Sequence, residues 1–231
     1  MADTPLDPQQ AALFREVDDD LRHEQLNRLW KAYGPTVVAA AVALVLAVAG
    51  WQGWMAWQAS SRVKEATAFE AALSRGADTN HEATAQALKD FASGASRGNR
   101  DLAVMKAAAL LAQAGKVTEA TALWKQLRDT GNADPIFRDL ARLLVVQHGL
   151  DQPGADLSAL DAELAPLLGP STRFRYLAGE LRGLIALQQN RRDDAVTLFT
   201  DLAADRSTPY GIRARLREVL MSLGATVPDA P

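Results

Sequence analysis

The sequence predicts an all-α protein, a single N-terminal transmembrane helix followed by a solenoid of helical hairpins. Three observations carry that reading. An uninterrupted apolar run fills the segment from Tyr33 to Trp57. Beyond it, apolar residues recur at helical spacing between breaks marked by glycine and proline, and nothing alternates with the period of a strand. Finally, one helix pattern occurs twice in the second half of the chain.

The first 33 residues form the predicted cytoplasmic tail. Leu13, Val17, Leu21 and Leu29 fall at helical spacing, with Phe14 and Leu26 nearby, which gives a short amphipathic helix suited to docking on a partner at a membrane surface. Asp18, Asp19 and Asp20 followed by His23 read as a solvated acidic face. Consecutive carboxylates on a helix point in different directions, and no glycine-bearing calcium-loop pattern accompanies them. The tail holds four basic and seven acidic groups, whereas residues 58–231 hold 21 of each, so the net charge of −3 belongs to the tail. A balanced body has no basic footprint for nucleic acid.

Residues 34–57 are the predicted span. The only clearly polar side chains there are Thr36 and Gln52, and the length suffices for a hydrocarbon layer roughly 30 Å thick. Trp30 and Tyr33 stand at one end and Trp51, Trp54 and Trp57 at the other, where half-wet aromatic rings favour the headgroup level. Apolar character all round argues against a buried core helix. Ala59 and Ser61 resemble a processing site, but the long acidic lead-in and the length of the apolar core argue against a cleaved signal. Arg22, Arg28 and Lys31 precede the run and Arg62 and Lys64 follow it, so the charge rule leans by one group toward a cytoplasmic N-terminus. Ala39, Ala43 and Ala47, beside Gly50, form a small-residue stripe that would let another helix approach in lipid.

The body, residues 58–231, carries predicted helices over 62–75, 81–92, 100–114, 117–130, 135–147, 156–168, 172–189, 192–205 and 208–222. Gly76, Gly94, Gly98, Gly115, Gly131 with Pro135, Gly149 with Pro153, Gly169 with Pro170, and Pro209 mark the breaks. Such short connections give an antiparallel array.

The repetition is read from two segments. Aligning "AGKVTEATALWKQLRDTGNADP" with "QNRRDDAVTLFTDLAADRSTPY" places Ala120 on Ala195, Leu123 on Leu198, Trp124 on Phe199 and Leu127 on Leu202. The small alanine admits a neighbouring helix and the aromatic one turn later fills the space between helices. Upstream, Ala108 matches Gly183 and Leu111 matches Ala186. This spacing resembles the tetratricopeptide repeat, a helix pair of about 34 residues, in a degenerate form.

With these residues in place, a family is recognisable. "FREVDDDLRHEQLNRLWKAYGP" running into the apolar segment, then "AALLAQAGKVTEATALW" and "STPYGIRARLREVLMSLG", resembles the YfgM-type ancillary subunits of the SecYEG translocon, which carry a tetratricopeptide-like domain. The resemblance implies a bacterial inner-membrane protein with its N-terminus in the cytoplasm and its repeats in the periplasm. It also implies protein partners, namely the SecYEG translocon and a membrane-anchored periplasmic chaperone of the prolyl-isomerase-like type. An assembly factor or adaptor for another envelope complex is the alternative.

No chemistry is assembled in the sequence. Without cysteine there is no disulfide, thiolate nucleophile or cysteine metal site. His23, His81 and His148 are scattered, and no Gly-x-Ser-x-Gly elbow, phosphate loop or dinucleotide fingerprint occurs. The expectation is a non-enzymatic binding protein with no catalytic, cofactor-binding or metal residues. Arg138 with Arg142, and Arg175 with Arg182, could place guanidinium groups along a groove. Ordinary salt bridges on a solvated face are the plainer reading, so no site residue is assigned.

Overall fold

The computed structural model describes residues 8–76 and 80–227, with side chains from Trp30 onward. Among the described residues the chain is helical throughout, without strands. The helices are α1 (Pro8–Ser74), α2 (His81–Gly94), α3 (Arg97–Gln113), α4 (Val117–Asp129), α5 (Pro135–Leu150), α6 (Leu157–Leu164), α7 (Arg175–Gln188), α8 (Arg192–Ala204) and α9 (Tyr210–Ser222). The chain divides into two units, Met1–Val63 and Lys64–Pro231.

Among its described residues the first unit is one helix, part of α1. The sequence suggests a fresh helix at residue 62, but α1 continues through that point to Ser74. From Gln58 to Glu65 the chain has no glycine or proline to end it, so nothing stops the ladder of hydrogen bonds. Pro35 lies inside the helix, where its missing N–H leaves one carbonyl of the preceding turn without its donor. Next to it, the Trp30 ring covers Gly34, where a Cβ would stand 3.3 Å from Trp30 Cδ2. Val42, Leu44, Val45, Leu46, Trp51 and Trp54 are all exposed, so this segment of α1 is apolar on every side and no described side chain of its own unit covers these residues. It is long and apolar enough to cross a membrane. The stripe Leu13, Val17, Leu21 and Leu29, and the acidic triplet with His23, lie outside the described side chains.

The second unit is a row of antiparallel pairs. The end of α1 pairs with α2, as the edge contact of Phe69 with Phe91 shows (5.5 Å between ring centres, 62°). Then α3 pairs with α4, α5 with α6 and α7 with α8, and α9 packs on α7 and α8 with no following helix among the described residues. We call the first helix of each pair A and the second B. Three contiguous apolar clusters run along the row. One extends from α1 to α5 around Leu88 and Trp124, one joins α5 to α7 around Val146, Leu164 and Leu167, and one joins α7 to α9 around Phe199 and Leu216.

The hairpin turns show the repetition at backbone level. After α3, the N–H groups of Ala114, Gly115 and Lys116 donate to the carbonyls of Leu110, Ala112 and Leu111 at 2.9, 3.0 and 2.8 Å. After α7, those of Gln189, Asn190 and Arg191 donate to Ile185, Leu187 and Ala186 at 3.0, 3.0 and 2.8 Å. After α9, those of Leu223, Gly224 and Ala225 donate to Val219, Met221 and Leu220 at 3.0, 2.9 and 3.0 Å. The central residue is left-handed each time, at φ 78° for Gly115, 59° for Asn190 and 64° for Gly224, as a helix end closed by a reversed turn requires. From 190 to 224 is 34 residues, one tetratricopeptide period. So α9 is the A helix of a repeat whose B helix does not follow within the described residues.

The packing beneath these turns confirms the paired wedges. Trp124 and Phe199 are fully buried, as are Ala120 and Ala195 beside them. A Cβ on Gly183 would lie 2.1 Å from Phe199 Cε1, so the ring occupies the space a side chain would need. Trp124 stacks on His148 of the next pair (4.8 Å, 19°), which makes this histidine a packing partner.

The middle pair departs from expectation. The helix anticipated over 156–168 stops at Leu164 and tightens into a 3-10 turn, Ala165–Leu167, where Pro166 cannot donate. The helix anticipated from residue 172 starts at Arg175, because the Thr172 hydroxyl donates to the Gly169 carbonyl (2.8 Å) and closes a local turn. Gly98 and Gly149 are not breaks. Gly98 sits in the first turn of α3, and Gly149 lies within α5, where a Cβ would meet Leu160 Cδ2 at 2.8 Å.

Candidate interaction surface

The A helices form a continuous row. Beyond each hairpin's own contact, α3 touches α5, α5 touches α7 and α7 touches α9, which is how stacked helix pairs build one extended face. Among the described residues of the repeat unit, the exposed large apolar side chains are Leu102 on α3, Ile136 on α5, Leu177 on α7, and Tyr210 and Met221 on α9. All stand on A helices. Leu102 and Leu177 are separated by the same 75 positions as Gly115 and Asn190, so they hold equivalent places in two repeats. A partly exposed leucine thus recurs at one repeated position on the row of A helices.

The arginines considered from sequence serve the fold. Arg142 donates to Glu163 (3.1 Å), which also pairs with Arg128 of α4. Arg182 pairs with Asp161 at 3.0 Å. Arg175 lies over the Tyr176 ring (4.3 Å) and 3.6 Å from Asp205. These carboxylates offset three of the four charges. Arg138 is half-buried, and its Nε is enclosed without a hydrogen-bond acceptor.

A buried carboxylate joins the pairs. Asp101 on α3 is 1% exposed and accepts from the Asp134 N–H at 2.9 Å, while Asp134 caps α5 by accepting from the Ile136 N–H at 2.9 Å. The start of each of these A helices is thus fixed relative to the other. Neither role was visible in the sequence, where Asp101 and Asp134 look like ordinary surface acids.

The family follows from comparison. A description of the tetratricopeptide repeat-like domain matches residues 27–221. The chain belongs to that family. The match starts before the apolar run, so anchor-like helix and repeats are covered by one family unit. Comparison with curated proteins and with solved structures returned no match. A repeat array of this family points to a scaffold for protein interaction.

Proposed function

We propose that the protein is a membrane-tethered, non-enzymatic scaffold, an ancillary subunit of the Sec translocon that works with a membrane-anchored periplasmic chaperone. In this reading residues 1–33 are a cytoplasmic tail, 34–57 cross the inner membrane, and 58–231 form the periplasmic repeat domain. The observation that carries it is the direct covalent continuation of a fully apolar, aromatic-bounded helix into a tetratricopeptide-like array, within one family unit. Such an array offers partners a long surface with no catalytic centre of its own, and the helix keeps that surface at the membrane, where exported chains emerge. The resemblance of the tail, the span and the repeat segments to translocon ancillary subunits supports the choice of partners.

Two measurements test it. A C-terminal alkaline phosphatase fusion is expected to be active and a C-terminal green fluorescent protein exported through the translocon dark. The opposite pattern overturns the orientation. Photocrosslinkers at Leu102 and Leu177 are expected to capture translocon or chaperone subunits in cells, and capture of another envelope complex alone overturns the partner assignment.

A further inference from the structure

The two edges of the repeat unit differ in charge. At one edge the B helices begin, and three of the four, α2, α4 and α8, carry acid in the first turn: Glu82, Glu119, and Asp193 with Asp194. This is the placement that the positive end of a helix favours. At the other edge the A helices begin, and α3, α5, α7 and α9 carry no acid in their first turn. Arginines stand there without the acids that accompany Arg191 and Arg192 at the start of α8. Arg97 opens α3, Arg173 and Arg175 flank the start of α7, Arg206 precedes α9, and Arg213 lies in its first turn with the exposed ring of Tyr210.

The carboxylates of the same edge are largely engaged. Glu65 accepts from the Ser96 N–H, Asp101 from the Asp134 N–H, Asp134 from the Ile136 N–H, and Asp205 from the Ser207 N–H. Half-exposed Asp139 is flanked along α5 by Arg138 and Arg142. Among the described residues, by contrast, the side chains of Arg97, Arg173 and Arg206 meet no acceptor and are exposed. They lie past the ends of B helices as well as at the starts of A helices, so opposing helix dipoles meet there, and no described carboxylate of the fold pairs with them.

The edge also lies where the chain enters the repeat unit. The contact between Glu65 and Ser96 puts the entry point of the repeat unit, Lys64, on this same edge. Only seven positions of chain separate Trp57 from Lys64. Even fully extended they span about 25 Å.

We propose that this arginine-lined edge is a docking surface for the anionic bilayer in which the protein is anchored, with guanidinium groups pairing lipid phosphates and Tyr210 lying at headgroup level. The inference rests on the reading of residues 34–57 as a span. Arginine suits the task, since its planar fork engages phosphate oxygens two at a time, and tyrosine favours the half-wet interface. Docking would give the apolar face of the A helices a defined orientation over the membrane.

The test reconstitutes the full chain into nanodiscs of phosphatidylcholine alone or mixed with phosphatidylglycerol, and follows amide hydrogen exchange. Co-elution of protein with discs of both kinds reports insertion. If the chain inserts in neither, the span reading and this inference fall together. With insertion established, the first turns of α3, α7 and α9 are expected to exchange at least about fivefold more slowly in anionic discs, while the first turns of α4 and α8 do not change. The triple variant Arg97→Gln, Arg173→Gln, Arg206→Gln is expected to insert equally and to lose that protection. Equal exchange in both discs overturns the proposal. So does protection produced by inorganic phosphate in phosphatidylcholine discs but not by phosphatidylglycerol, which would show a small-anion site. Protection of the same turns by an acidic peptide with none from phosphatidylglycerol overturns it in favour of a protein partner.

Discussion

The pairs α3/α4 and α7/α8 solve one packing problem with two sets of residues. In the first, Ala108 and Trp124 are buried together with Ala120; in the second, Gly183 and Phe199 are buried with Ala195. The turn after the A helix is closed by glycine in one and by asparagine in the other, at φ 78° and 59°. Hydrogen bonds of the turn match to within about 0.1 Å. What the repeat conserves, then, is the backbone path and the filling of the space between helices. Which residue fills it is free to vary, provided its neighbours compensate.

The largest effects come from emptying that space. Phe199→Ala and Trp124→Ala are each expected to destabilise the repeat unit by about 3–5 kcal/mol, read from thermal melts of the full chain in detergent by circular dichroism. A shift in only one of them would mean the two wedges are not equivalent. Next is overfilling. Gly183→Ala pushes a methyl into the Phe199 ring and is expected to cost about 1–3 kcal/mol, whereas Ala108→Gly costs only about 1 kcal/mol through backbone freedom. Phe199→Leu should relieve part of the Gly183→Ala penalty, and strict additivity of the two would show that the ring does not exclude the side chain.

The turns supply a smaller contrast. Gly115→Ala forces a Cβ into the left-handed region and is expected to cost about 1–2 kcal/mol. Asn190→Gly, measured by the same melts, should stay within about 1 kcal/mol of the parent, because asparagine already tolerates that conformation. Smallest is a pH effect confined to the second pair. At the C-caps, α4 has Thr130 where α8 has Asp205. The Ser207 N–H, with help from Tyr176 and Arg175, holds the Asp205 carboxyl below the usual carboxylate range. A depressed value in the folded state contributes stability above the unfolded value, about 3.9, and that contribution disappears as pH falls through the folded one. Asp205→Asn is therefore expected to flatten the acid limb of stability slightly and leave stability at pH 7 a little lower. An unaltered acid limb would mean that solvent screens the contact fully.

Much of this fold was legible because its signals are local. Glycine and proline marked most helix ends within a few residues, and Ala120–Trp124 with Ala195–Phe199 exposed the repeat. Where the reading failed, tertiary contacts decided. Near Arg62 the lack of glycine or proline was the one sign that α1 would run on, and only Pro166 hinted that α6 would stop early. The 34-residue period was hidden by the longer connections around α6, and surfaced through the shared turns at Asn190 and Gly224. The exposed Leu102, Leu177 and Met221 look like core residues in a helical pattern. Periodicity identifies an apolar face but does not say whether a neighbour covers it.

The half-repeat α9 has a consequence for how the array opens. In a linear array each unit draws cooperativity from its neighbours, and among the described residues α9 packs on α7 and α8, supplemented by Ala225 and Val227 folding back onto its cluster. Detaching it uncovers Phe199, so loss of thirteen helical residues loosens the pair α7/α8 beneath. A partner seated over Tyr210 or Met221 would hold that cluster closed without touching any other part of the scaffold.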